Sequence, residues 1–125
     1  MKTKKTFQVL IISSFTLLLF SCDKYHAKKL SGTYACSVDY HYWDMTPITI
    51  DTMYNEDLEI AQDGKYVLVL GTKIHIDSLW KEKQYMKGDI HGFLQVLFKN
   101  DSVYITKSSG GMGGNGTIIY EGIKK

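Results

Sequence analysis

Gly32-Thr33-Tyr34-Ala35-Cys36-Ser37-Val38-Asp39-Tyr40-His41-Tyr42-Trp43 carries the clearest periodicity in the chain. Tyr34, Cys36, Val38, Tyr40 and Tyr42 fall on one face, and Thr33, Ser37, Asp39 and His41 on the other. Successive side chains of a strand point to opposite faces, so strict period two predicts a strand with one buried face. Asp44-Met45-Thr46-Pro47 should close it, because Pro47, the one proline, has no N–H to give to a ladder.

Working outward, the same pattern recurs at hairpin spacing. Ile48 to Thr52 alternates, and Leu58 and Ile60 follow the polar group Asn55-Glu56-Asp57. Asp63-Gly64 supplies the positive φ angles of a tight turn before Tyr66 to Leu70. Gly71-Thr72 breaks that strand, and Lys73 to Asp77 alternates again. Met86, Gly88, Ile90, Gly92, Leu94, Val96 and Phe98 hold one period-two face, with Gly88 and Gly92 as the expected bend points. Ser78 to Gly88 fits neither period cleanly and leans to strand, although Asp77 or Ser78 would serve as a helix cap. Lys99 to Ser102 marks a turn, Val103 to Thr106 a strand, Ser108 to Gly116 a glycine-rich loop, and Thr117 to Ile123 the last strand. About eight short strands predict an all-β fold, an antiparallel up-and-down barrel, with a β-sandwich as the alternative. A barrel is preferred because closure removes sheet edges.

The N-terminus reads differently. Lys2, Lys4 and Lys5 precede an uncharged run from Phe7 to Phe20, too short to span a bilayer but of the length of a signal-peptide core. Leu19-Phe20-Ser21-Cys22 resembles the lipobox of bacterial lipoproteins. That resemblance implies a signal peptide over 1–21, diacylglycerol on the Cys22 sulfur, an acyl chain such as palmitate on its freed amine, and a lipidated polar tether over 22–29. Two or three chains hold a protein firmly to a membrane where one holds marginally. Asp23-Lys24 is similar to the start of the signal that sends lipoproteins of Bacteroidota to the cell surface. The expected location is the cell envelope, at the outer membrane, on its periplasmic side or at the cell surface.

Without residues 1–21 the chain would keep 12 lysines against 13 acids, so the positive net charge belongs to the leader. There is no arginine. Neither nucleic acid nor bidentate phosphate recognition is expected. Cys36 would be the one cysteine left after lipidation of Cys22, and its apolar-face position predicts a buried hydrophobe.

Leu30-Ser31-Gly32-Thr33-Tyr34 resembles the opening of lipocalin-like barrels, and Tyr120 to Lys125 is similar to the last strand of lipocalin-like lipoproteins of Bacteroidota. The resemblance implies a barrel over 30–125 with an apolar cavity. Tyr34, Tyr40 and Tyr42, with Leu94, Val96 and Phe98, would then point inward and line a site for a small apolar ligand. Tyr34-Ala35-Cys36 also resembles the Tyr-x-Cys of membrane-bound lysozyme inhibitors, which implies a protein partner instead, such as a secreted hydrolase.

Other motifs carry less. Gly111 to Gly116 matches G-x-G-x-x-G literally, but a phosphate cradle needs a following helix, and a strand follows here. His26, His41, His75 and His91 lack zinc or facial-triad spacing, so no metal and no other cofactor is expected. Asp51, Glu56, Asp57 and Glu59 read as a solvated face. No nucleophile elbow is present, and the expectation is a binding protein and not an enzyme.

Overall fold

The computed structural model describes residues 22–44, 49–111 and 114–125. The signal-peptide reading of 1–21, the turn at Pro47 and the Met112-Gly113 connection fall outside them. The strands are β1 (Gly32–Asp44), β2 (Thr49–Asp63), β3 (Tyr66–Val69), β4 (Thr72–His75), β5 (Tyr85–Asp89), β6 (Gly92–Lys99), β7 (Ser102–Gly111) and β8 (Gly114–Lys124). A 3-10 turn, Ile76–Ser78, follows β4. Residues 22–30 form a helix, α1.

All eight strands form one antiparallel sheet in the order β4-β3-β2-β1-β8-β7-β6-β5. First and last strands pair, from Tyr34↔Lys124 to Asp44↔Gly114, as an up-and-down barrel requires. The sheet curls but stops short of closure: β4 and β5 lie at its two edges, giving a half-barrel. No ladder joins β4 to β5; the chain between them runs as a 3-10 turn followed by turn and coil. The expectation of strand over Ser78 to Gly88 holds for Tyr85 to Gly88, the start of β5, and is corrected for Ser78 to Gln84, which form the turn and coil before it. His75, not Asp77 or Ser78, caps the turn, its ring accepting from the Asp77 amide.

Asn55-Glu56-Asp57 lies inside β2, because β1 pairs with β2 without a break from Gly32↔Ile60 to Trp43↔Thr49. Two further expectations change. The glycine-rich stretch is ladder as far as Gly111↔Gly114, not loop. The long run from Met86 to Phe98 turns at Ile90-His91, between the two glycines where a bend was expected, but it does not keep one face. Its halves therefore face opposite ways. Asp89 pairs with Gly92 and Tyr85 with Val96, so even positions on β6 share a face with odd positions on β5.

The turns follow their residues. Gly64 (φ 59) turns β2 into β3, and Leu70 (φ 48) with Gly71 (φ 80) turns β3 into β4. Asn100 (φ 54) turns β6 into β7.

The core gathers at one end. Tyr34, Cys36 and Val38 of β1 pack with Leu58 and Ile60 of β2, Val67, Val69 and Ile74, Val96 and Phe98 of β6, and Val103 and Ile105 of β7. Ala27 and Leu30 of α1, with Ile76 and Leu79, close the same cluster. Beyond Val38 the inward positions open out: Tyr40 and Tyr42 are half-buried, while Ile50 and Tyr54 are exposed.

Candidate functional site

The segment expected as a polar tether is helical, and its docking builds a site. A helix leaves its last four carbonyls without intrahelical partners. Here each one is met. The Ser31 amide donates to the Ala27 carbonyl at 3.0 Å. The Ser31 hydroxyl donates to Lys28 at 2.7 Å. Lys124 Nζ donates to Lys29 at 2.7 Å. Tyr34 Oη donates to Leu30 at 2.7 Å. Two of these donors come from the sheet, so the end of α1 is tied to β1 and β8. Gln62 holds the other end through the Lys24 carbonyl at 2.9 Å. His26 stacks on Trp80 at 3.7 Å between centroids and 11° between planes.

Under this helix lies a half-enclosed cavity of about 510 Å³. Lys29 and Leu30 of α1 form one side, and Leu79 to Glu82 form another. Phe98, Asn100 and Asp101 close it from the β6–β7 hairpin, and Lys124 from β8. Its floor is aromatic: Tyr34 and Phe98 meet edge to face at 5.9 Å. Lys29 Nζ sits 5.7 Å from the Trp80 ring, within cation–π reach. Burial, with Asp101 and Cys36 adding to it, pushes the Tyr34 hydroxyl up to about 12, so it stays a neutral donor to Leu30.

Backbone strain concentrates here. Of the four described non-glycine residues with positive φ, Lys81 (63°), Glu82 (59°) and Asn100 (54°) line this cavity. Asn100 is explained by its two-residue turn. The consecutive Lys81 and Glu82 are not in a hairpin turn, and each left-handed non-glycine residue costs of order 1–3 kcal/mol. Chemically the walls offer a flat apolar surface and the ammonium groups of Lys29, Lys81 and Lys124, balanced in part by Glu82 and Asp101.

The six side chains expected to line one site do not converge. Tyr34 and Phe98 reach the cavity floor. Val96 is fully buried and Leu94 nearly so, within the packed core. Tyr40 and Tyr42 lie further along β1, beside Ile118 and Gly116 of β8. Cys22 is a free, exposed thiol at the start of α1, and Cys36 is free and buried. Sequence reasoning missed Lys29, Leu79, Trp80, Lys81 and Lys124. The available signal was Leu79-Trp80, an apolar pair matching neither period inside a polar stretch.

Comparison with known protein families, with curated proteins and with solved structures finds no match to this chain.

Asp23 of α1 meets His75 and Asp77, with ligand atoms all within 4.8 Å of one another. His75 Nδ1 accepts the Asp77 amide at 3.1 Å, and the ring meets Tyr66 edge-on at 5.1 Å. One imidazole and two carboxylates are a donor set for a divalent cation of borderline hardness. On the outer face of the sheet, His41 bonds Asp51 through Nδ1 and Asp39 through Nε2, the latter at 3.1 Å. The Asp51 bond, with Asp39 beside it, raises the imidazole above its ordinary value. Among the described residues, no helix is long and apolar enough to cross a membrane.

Proposed function

We propose that this chain is a non-enzymatic binding protein of the bacterial cell envelope. It is held to a membrane by lipid on Cys22, and it takes a small, largely apolar ligand with an anionic end into the cavity under α1. The observation that carries the binding half is the cavity itself. Its volume of about 510 Å³ lies within the range of small-molecule sites, roughly 300–1,000 Å³. Tyr34, Phe98 and Trp80 supply the apolar walls and three lysines the positive rim. The lipocalin-like reading is supported by eight antiparallel strands with β1 beside β8. It differs in where the ligand sits: the interior is filled by side chains such as Val38, Val96 and Ile105, all at 0% exposure, so binding moves to the end of the half-barrel.

Anchor and pocket are tested separately. Cys22→Ala should leave the protein in the soluble fraction with no acyl mass; continued membrane fractionation would defeat the anchor. For the pocket, the probe is anilinonaphthalene sulfonate, an apolar ring system with one negative charge. Trp80→Ala should weaken its binding about tenfold, the loss of one large aromatic contact. Unchanged fluorescence enhancement in a folded Trp80→Ala variant would remove the pocket from the account.

A further inference from the structure

β2 is used unequally by its two neighbours. β1 pairs with all of it from Thr49 to Ile60, whereas β3 pairs only with Ala61, Gln62 and Asp63. The other edge of residues 49–60 has no strand partner among the described residues. Its first nine residues are all exposed. At about 3.3 Å per residue this is an open edge of roughly 40 Å. It starts at the end of the sheet remote from α1, since Trp43↔Thr49 lies a full strand away from Gly32↔Ile60.

Such an edge is a template for another strand, and proteins usually blunt it with lysine, proline, a bulge or shortness. Residues 49–60 contain no lysine and no proline, and the register with β1 runs without a bulge. Their charges are all negative: Asp51, Glu56, Asp57 and Glu59. Asp51 is bonded to His41 and Asp57 to Lys125. Glu56 and Glu59 have no ion-pair partner among the described residues. Between the acids stand Ile50, Met53 and Tyr54, 44%, 72% and 42% exposed.

We infer that residues 49–60 are a docking edge for an extended basic segment of a partner protein, which adds to the sheet as a further strand. Main-chain hydrogen bonds supply the attachment, and alternate side chains supply the selectivity. Lysine or arginine on one face of the partner strand meets Asp51, Asp57 and Glu59, which share the outer face of β2, and apolar residues on its other face meet Ile50 and Tyr54. A second copy of this chain is disfavoured, because like charges set opposite one another across strands repel. The inference concerns a surface separate from the cavity and stands whether or not the cavity is filled.

The test uses the full chain as purified from the cells that express it, with an alternating Lys–Val dodecapeptide and a Glu–Val counterpart. Hydrogen exchange should slow at residues 49–60 with the lysine peptide alone. Asp57→Lys combined with Glu59→Lys, both on the outer face, should weaken that binding about tenfold. Equal protection by both peptides, protection confined to other strands, or undiminished binding by the doubly substituted protein would overturn the inference. So would concentration-dependent protection of 49–60 without peptide, which would make a second copy the occupant. The peptide comparison needs no substitution, so a variant that fails to fold leaves the test intact.

Discussion

His41 sits between two carboxylates on the exposed face of a strand pair. It stands opposite Asp51 across the β1–β2 ladder, with Asp39 two residues away on the same face. Both ring nitrogens bond carboxylates, a pattern that only the doubly protonated imidazolium satisfies. The Asp51 bond, then Asp39, therefore raises its pKa above the ordinary 6.5. A raised folded pKa gives stability that is complete below the unfolded pKa and is lost as pH rises through the folded one. Asp51→Asn should move the His41 midpoint down in an NMR titration. The stability advantage of the native protein over that variant should be largest below about pH 6 and shrink above it. A midpoint that stays put in Asp51→Asn would mean Asp51 is not the cause. Cys36 makes the complementary case. Its period-two position already marked it as core, and it is 3% exposed. Burial, the largest influence, pushes its thiol up, away from the reactive thiolate.

At the scale of elements, α1 is the one that sequence did not disclose. Asp23 to Lys29 offers few apolar residues, and a nine-residue helix is marginal alone in water. What holds it comes mostly from afar: Lys124 meets the Lys29 carbonyl, Gln62 its first turn and Trp80 the His26 ring, while Tyr34, four residues on, meets the Leu30 carbonyl. Lys124, Gln62 and Trp80 have no sequence spacing to α1 that periodicity can detect. Tyr34→Phe should remove the donor to the Leu30 carbonyl while keeping the ring in place. The expected loss is about 1–3 kcal/mol, the penalty of a buried acceptor left without a partner. Urea denaturation measures that loss. Hydrogen exchange should quicken over residues 22–30 and not over β7, and an α1 as protected as before would show that this bond does not hold it.

The whole molecule is asymmetric along its strands. One end is sealed by α1, the 3-10 turn and the packed cluster; the other spreads into hairpins that expose Trp43, Ile50, Met53 and Tyr54. Stability should follow that division. Ile105→Ala, at 0% exposure, should cost about 2–5 kcal/mol through lost burial and a cavity. Trp43→Ala, at 51% exposure, should change stability by no more than about 0.5 kcal/mol. Denaturant midpoints of the two variants test this, and similar losses would contradict a core confined to one end.

Strand periodicity and turn chemistry are local, and they were readable from residue order. Alternation over Gly32 to Trp43, Asp63-Gly64 and the Lys99 to Ser102 turn specify an all-β meander, because adjacent side chains must point opposite ways and tight turns need particular φ angles. The parity change across Ile90-His91, the open gap between β4 and β5, the capped helix and the cavity depend on which distant segments meet. Lys29, Tyr34, Trp80, Phe98 and Lys124 become neighbours only when the sheet curls far enough for β8 to lie against β1. No local pattern encodes that approach, since it arises from burial summed over the whole sheet and from carbonyls and rings that find partners only in the folded chain.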